Sequence, residues 1–156
     1  MTYEAIMRLA IEKAREGIAQ GQIPVAAVLV RADKVIAVTH NTVWRSCDPT
    51  AHAEMNCIRQ ACLTIRDISL RGCHLFTTLE PCPMCLAASH WSKIDRIVYG
   101  AAIADAARAG FSELEVPAAQ LAALGHNSLT VESGLLREEC AGLFAEWKQA
   151  GLSQAY

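Results

Sequence analysis

Two short motifs place metal-binding side chains about 30 residues apart. The first is His-Ala-Glu at 52–54, and the second is Pro-Cys-Pro-Met-Cys at 81–85. They supply one imidazole, two thiolates and one carboxylate. Imidazole and thiolate are preferred ligands of Zn²⁺, which takes them in a tetrahedral arrangement. The sequence therefore predicts a zinc ion bound by His52, Cys82 and Cys85.

The spacing of the two cysteines fits the beginning of one helix. Pro83 falls at the first helical position, which tolerates proline well, and side chains three positions apart share a helix face. The partial positive charge of a helix N-terminus favours thiolate over thiol. Structural zinc sites use four protein ligands, whereas catalytic sites leave the fourth position for water. The sequence has no second C-x-x-C pair and no H-x-x-x-H pair, which favours an open, catalytic site.

Glu54 is the candidate proton carrier of this site. Residues two apart on a regular helix point ~200° away from each other, so His52 and Glu54 converge only if the helix begins at His52. Asp-Pro-Thr at 48–50 favours a helix start there, because these residue types favour turns and N-caps. We expect Glu54 to move protons without binding the metal.

Other interpretations of the motifs remain open. A lone C-x-x-C is also typical of a redox pair or of half a structural zinc site. A non-catalytic zinc-binding module would need a fourth protein ligand, for which Cys47 is the candidate. The joint occurrence of the two motifs favours the catalytic interpretation.

The composition predicts one globular domain over residues 1–156, with 53% hydrophobic and 19% charged residues. No apolar run reaches the ~18 residues of a membrane span, and residues 1–16 lack a signal-peptide core. Seven cysteines, an odd number, suit a reducing compartment better than a disulfide framework. We therefore expect a cytoplasmic protein with no membrane partner.

The charge distribution argues against a nucleic-acid partner. The net charge is −2, and residues 138–156 contain Lys148 as their single cation. Nucleic-acid enzymes usually carry a basic face or tail, since phosphate contacts supply much of the affinity. The sequence also lacks the G-x-G-x-x-G, G-x-x-x-x-G-K-[ST] and G-x-S-x-G motifs, so nucleotide-dependent transfer and serine hydrolysis have no support.

The hydrophobic pattern predicts alternating helices and strands, which favours an α/β sandwich with helices on both faces of one sheet. Residues 102–124 are rich in Ala and interrupted by Gly110 and Pro117, so we expect short helices and loop there. The predicted helices span 3–19, 51–65, from 80–85 to 92, and 135–150, and the predicted strands span 24–30, 35–39, 73–78, 94–99 and 128–132.

The stretches Asp-Pro-Thr-Ala-His-Ala-Glu at 48–54 and Glu-Pro-Cys-Pro-Met-Cys-Leu at 80–86 resemble the cytidine deaminase-like superfamily. The resemblance covers nearly the whole chain. It implies a three-layer α/β/α sandwich around one mixed five-stranded sheet. It also implies one Zn²⁺ per chain, with a bound water, and Glu54 as the catalytic group.

Within that superfamily the chain looks most like the small bacterial guanine deaminases. Trp91 follows the second motif, Asp-Ala-Ala-Arg-Ala-Gly-Phe at 105–111 resembles their segment after the fourth strand, and Tyr156 ends the chain. The resemblance implies a homodimer whose C-terminal segments are exchanged and help to close the partner's site. The substrate contacts that it implies are Asn41, Ala53, Trp91, Phe111, Glu113 and Tyr156.

Three departures from that pattern leave the substrate open. Val25 stands where the guanine deaminases carry Phe, and Ser112 precedes Glu113 where they have a second acid. Pro24-Val25 and Thr-Leu-Glu-Pro at 78–81 look more like tRNA adenosine deaminases. The sequence predicts deamination of a purine, with guanine giving xanthine and ammonia. The alternatives are guanosine, a triazine amine, cytosine, adenosine in tRNA, and the non-catalytic module.

Overall fold

A five-stranded mixed sheet forms the centre of the computed structural model, which describes residues 1–125 and 128–155. The strand order is β2-β1-β3-β4-β5; β1 is antiparallel to β2 and β3, and β3, β4 and β5 are parallel. The predicted mixed five-stranded sheet is therefore confirmed. The strands are β1 (Ala26–Arg31), β2 (Lys34–His40), β3 (Cys73–Leu79), β4 (Arg96–Ala101) and β5 (Thr130–Glu132).

Two groups of helices cover the sheet. The helices are α1 (Tyr3–Ala19), α2 (Val43–Ser46), α3 (Ala53–Ile65), α4 (Pro83–Trp91), α5 (Ile103–Ala109), α6 (Ala118–Leu124) and α7 (Arg137–Gln149). α1 and α7 pack on each other and on the sheet, and α5 packs on α7. α3 packs on β1 and β2, α4 packs on α3, and α6 packs on α4. None of the described helices is long and apolar enough to cross a bilayer.

The structure differs from the sequence-based prediction at α2 and at the beginning of α7. The four-residue α2 lies where a loop was expected, because a single turn has too few residues to show a helical hydrophobic period. The last helix begins at Arg137 and not at residue 135, since Leu136 adopts a left-handed backbone with φ +51°. A residue in that conformation cannot continue a right-handed helix.

The strand ends that meet at one edge of the sheet create the site. β1 begins where β2, β3 and β4 end: Ala26 pairs with His40, Ala27 with Thr77, and Leu79 with Ala101. The loops that follow β2, β3 and β4 therefore leave the sheet on the same side. They carry residues 41–52, 80–82 and the start of α5.

Candidate active site

The beginnings of α3 and α4 hold the three predicted zinc ligands. His52 is the N-cap of α3 and Cys82 is the N-cap of α4, both in extended backbone conformation. Pro83 occupies the first turn of α4, as its position in the motif predicted. Cys85 is the third residue of α4 and is fully buried. Two helix N-termini thus point their ligand side chains at one place.

The distances between the ligand atoms fit a zinc ion. The two Sγ atoms lie 3.7 Å apart, and each Sγ lies 3.7 Å from His52 Nδ1. A tetrahedral Zn²⁺ with Zn–S bonds of ~2.3 Å and a Zn–N bond of ~2.0 Å places sulfur atoms ~3.8 Å apart and sulfur ~3.5 Å from nitrogen. The side chains are therefore already placed for the metal. Among residues 1–125 and 128–155, this is the one His, Cys, Asp and Glu cluster whose ligand atoms lie close enough together to share a metal ion.

The electrostatics of the cluster favour a bound cation. The Cys85 thiol and the His52 imidazole lower the pKa of Cys82 to about 4, so that thiolate is present at neutral pH. The pKa of Cys85 is raised by its hydrogen bond with Cys82 and by burial. Burial lowers the pKa of His52, but Cys82 and Glu54 outweigh that effect and leave the pKa raised. A metal ion binds both sulfur atoms as thiolates, so it replaces the proton that they share in its absence.

Glu54 lies beside the cluster and is almost completely buried. It occupies the first turn of α3, two residues after His52, so the helix start at His52 brings the two side chains together as predicted. Burial raises the pKa of Glu54 to about 7. A carboxyl group that both takes up and releases a proton near neutral pH suits general acid–base chemistry.

A narrow concavity opens above the cluster. The space between its walls, counted out into open solvent, is ≈ 400 Å³. The part of it that a water molecule can occupy is only ≈ 20 Å³, room for about one molecule. The lining residues are Ile23, Val25, Asn41, His52, Glu54, Leu79, Glu80, Cys82, Phe111, Glu113 and Phe144.

Asn41 reaches this concavity from the loop after β2. Its backbone N–H donates to Val25 O at 2.9 Å, which joins the loop to the beginning of β1. The Asn41 side-chain Oδ1 accepts the backbone N–H of Val43 at 3.0 Å and thereby orients the amide. The predicted substrate contact therefore lies on the wall in a fixed orientation.

Phe111 and Glu113 reach the opposite part of the wall from the segment between α5 and α6. The Phe111 ring is buried and contacts Phe144 at 5.5 Å and Trp147 at 5.3 Å between ring centroids, so α7 holds it in place. Glu113 is half-buried. Burial and the nearby Cys82 raise its pKa. Both predicted residues are thus brought to the metal cluster, although they lie far from it in the sequence.

Of the three remaining predicted residues, two lie away from the wall of this concavity. Trp91 does not line the concavity of its own chain: its side chain is 75% exposed at the end of α4, where Lys93 Nζ lies 5.8 Å from the indole. Ala53 is buried, and its carbonyl accepts the Thr39 hydroxyl at 2.8 Å. Tyr156 lies outside the described residues.

Cys47 does not join the metal cluster of the described chain. It is exposed and adopts a left-handed backbone with φ +49° at the end of α2. The fourth protein ligand that the non-catalytic interpretation required is therefore not supplied by Cys47. The three-ligand set matches a catalytic zinc site.

The C-terminal segment up to Ala155 lies on its own chain. The Trp44 indole Nε1–H donates to Gln154 O at 3.1 Å, and Leu152 N–H donates to Trp147 O at 3.3 Å. Because these contacts lie within one chain, exchange of this segment between two chains stays a prediction.

Sequence reasoning did not identify Glu80 or Phe144 as residues of the concavity. Phe144 lies in the last long helix, where its apolar type indicated only a core position. Glu80 directly precedes the Pro-Cys pair, and an acidic residue at the end of a buried strand was the signal that could have singled it out. Its carboxylate is buried and bound by two backbone N–H groups.

Comparison with known proteins agrees with the geometry of the site. Residues 1–101 match the sequence profile of the cytidine and deoxycytidylate deaminase zinc-binding region. The chain belongs to this deaminase family. The zinc-binding region and the ligand cluster of this deaminase therefore coincide.

Two groups of relatives resemble this deaminase to a similar degree. It is 42% identical to the guanine deaminase of Bacillus subtilis over 114 residues, 72% of this chain and 73% of that protein. It is 36% identical to the tRNA-specific adenosine deaminase of the same organism over 142 residues, 91% of this chain and 86% of that protein. The identities show a zinc-type hydrolytic deaminase without separating the two substrates.

Solved structures of guanine deaminases and of tRNA:A34 deaminases both resemble this deaminase. A guanine deaminase from Nitrosomonas europaea has a TM-score of 0.87 and 30% identity, with 95% of this chain and 85% of that chain covered. A structure from a study of tRNA:A34 deaminases has a TM-score of 0.77 and 34% identity, with 89% and 98% covered. The cytidine deaminase-like fold is confirmed by both.

Proposed function

We propose that this deaminase hydrolyses guanine to xanthine and ammonia. The observation that carries the proposal is the Glu113 carboxylate on the wall of the concavity, close enough to the cluster to interact electrostatically with His52 and Cys82. A free purine base carries an N–H on its imidazole ring, and this N–H can donate a hydrogen bond to a carboxylate. A nucleoside has a sugar at that ring position, so the carboxylate would lose this partner. Glu113 therefore favours a free base.

The side chains divide the reaction among them. Zinc bound at His52, Cys82 and Cys85 would supply Lewis-acid chemistry that lowers the pKa of a water molecule. Glu54 accepts one proton of the attacking water and donates it to the ring nitrogen beside C2. It then accepts the second proton, from the hydroxyl group now on C2, and delivers it to the departing amine. Water adds to C2 and the C2–N bond breaks, so guanine and water give xanthine and ammonia.

The walls orient the ring for this attack. Asn41 and Glu113 bind its edge by hydrogen bonds, and Phe111 and Phe144 cover it with apolar surface. Holding the amine-bearing carbon next to the cluster lowers the entropic part of the barrier.

Adenosine in tRNA is the second candidate substrate. The observation that favours it is the similarity to tRNA-specific adenosine deaminase, which extends over 91% of this chain. The net charge of −2 counts against it, because neutralising phosphates requires a basic surface.

The test is ammonia release by the zinc-loaded protein from guanine, guanosine, cytosine, a triazine amine and adenosine, together with inosine formation in tRNA. We expect turnover of guanine and not of guanosine. The control is Glu54→Gln, which should keep one zinc per chain and lose ammonia release. Turnover confined to tRNA would overturn the guanine proposal, and activity retained by zinc-replete Glu54→Gln would overturn the role of Glu54.

The same proposal includes a cytoplasmic homodimer. All seven cysteines are free, which suits a reducing compartment. Trp91 is 75% exposed and borders a groove together with Leu121 of α6. Leu124, also on α6, is 68% exposed. Exposed apolar clusters of this kind mark protein contacts.

Sedimentation equilibrium tests this assembly. Trp91→Glu should dissociate the dimer, whereas Leu63→Glu, at a comparably exposed position on α3, should leave it intact. A monomeric wild-type protein would refute the dimer.

A further inference from the structure

Glu80 lies at the junction between the sheet and the metal motif. It follows the last residue of β3 and precedes the Pro81-Cys82 pair. Its backbone N–H donates to Ala101 O at 2.8 Å, which ties it to the end of β4. Its side chain is only 7% exposed. A carboxylate this deeply buried needs strong hydrogen-bond partners.

The partners of that carboxylate are the first residues of two helices. Glu80 Oε2 accepts the N–H of Ile103 at 3.1 Å, at the beginning of α5. Glu80 Oε1 accepts the N–H of Ala118 at 2.9 Å, at the beginning of α6. One carboxylate thus satisfies N-terminal donors of both helices and lies at the positive end of both helix dipoles.

Neither N-cap side chain can take the place of Glu80, and Asp105 of α5 accepts the N–H of Ala102 at 2.8 Å and not that of Ile103. The N-cap residues are Ala102 and Pro117, whose side chains carry no hydrogen-bond acceptor. Ser, Thr, Asp or Asn normally fill that position and accept a helix N–H. The N–H groups of Ile103 and Ala118 therefore take their acceptor from another part of the chain.

The segment that these two hydrogen bonds enclose forms one wall of the concavity. Residues 111–117 have no regular secondary structure and contain Phe111 and Glu113. Phe111 is held by the aromatic side chains of α7, and the half-buried Glu113 follows two residues later in the stretch without regular secondary structure. The position of Glu113 therefore depends on how firmly the ends of the segment are held.

We propose that Glu80 is a positioning residue for deamination: by binding the beginnings of α5 and α6, its carboxylate places Glu113 against the substrate. This inference rests on the proposed function, because it assigns Glu113 the binding of the purine ring. Glu80 itself acts through that segment and not on the reacting atoms. Both of its oxygens are occupied by backbone donors.

The shape and charge of the side chain make it hard to replace. Glu80→Gln keeps the length but turns one oxygen into an NH₂ group, which faces a backbone N–H and cannot accept it. Glu80→Asp keeps the charge but is one methylene shorter, so it cannot reach both helices. We expect either variant to release one end of the segment.

Steady-state kinetics with guanine distinguish positioning from a loss of folded protein. For Glu80→Gln we expect KM to rise about tenfold or more and kcat to change less than about threefold, since ground-state binding is what loosens. A merely structural defect would lower the apparent kcat at unchanged KM. The matched control is Glu115→Gln, an exposed carboxylate on the same segment, which should change neither constant.

A double variant tests whether Glu80 acts through Glu113. In a Glu113→Gln background, adding Glu80→Gln should raise KM by less than about twofold, because the contact that Glu80 positions is already gone. Effects that multiply in the double variant would overturn the proposal. Zinc content should stay at one ion per chain in every variant.

Hydrogen exchange tests the same idea without turnover. The amides of Ile103 and Ala118 should exchange at least about tenfold faster in Glu80→Gln than in wild type, while the amides of α3 stay unchanged. Unchanged exchange at Ile103 and Ala118 would overturn the role of Glu80. If the wild type releases no ammonia from guanine, the proposed function fails, and exchange alone still decides whether Glu80 holds the two helices.

Discussion

Gly100→Ala is expected to destabilise the protein because α7 packs directly on this position of β4. A Cβ atom at Gly100 would overlap Cys140 Sγ and lie 2.7 Å from Cys140 Cβ and 3.1 Å from Leu135 O. Cys140 Cβ and Leu135 O are fixed by the backbone, so no rotamer change can relieve the contact. α7, which carries Phe144 to the active site, would have to shift away from the sheet.

The expected cost is about 3 kcal/mol, the upper part of the range for overpacking, because the contacting atoms of both partners are fixed by the backbone. In a chain of 156 residues this corresponds to a fall in Tm of roughly 6–12 °C. With a urea m-value of about 2 kcal/mol/M, the unfolding midpoint should fall by about 1.5 M.

The assay is urea unfolding of Gly100→Ala beside Gly142→Ala. Gly142 lies inside α7, and a Cβ atom there would meet nothing within 4 Å, so alanine should stabilise the helix by about 0.5–1 kcal/mol. Adding Cys140→Ala to Gly100→Ala should recover part of the loss, since it removes Sγ and leaves Cβ. A loss below about 1 kcal/mol for Gly100→Ala would refute the close-packing argument.

Three further predictions follow from buried polar groups and from the metal site. Burial raises the pKa of Asp105, but Arg137 and the Ala102 N–H outweigh it and hold the pKa below its usual value. Asp105→Asn should therefore cost about 2 kcal/mol near pH 7 in urea unfolding, with the difference from wild type shrinking as the pH falls through that lowered pKa. Thr77 Oγ1 is buried without a hydrogen-bond partner in the described part of the chain, so Thr77→Val should raise stability by up to about 1 kcal/mol in the same assay. Removing zinc with a chelator should lower the Tm in a thermal scan and abolish ammonia release, and added zinc should restore both, since the ion binds the folded cluster.

The sequence predicted the metal centre well because its ligands belong to local motifs. His52 and Cys82 each lie at a helix start, and the signals for those starts are neighbours in the chain: Asp-Pro-Thr at 48–50 and Pro83. The mixed five-stranded sheet was predicted through the family resemblance, and the hydrophobic runs marked where its strands lie. Trp91 was expected near the substrate, yet the end of α4 turns it away from the concavity of its own chain.

Local sequence determined which residues can bind zinc and move protons, because residue type and helix-start signals act over a few neighbouring positions. The tertiary structure decided what surrounds them. Glu113 and Phe144 reach the site only because the strand ends and α7 converge there. Glu80 holds α5 and α6 through contacts 23 and 38 residues away along the chain. Such contacts depend on long-range packing, and no pattern within a short window of sequence specifies them.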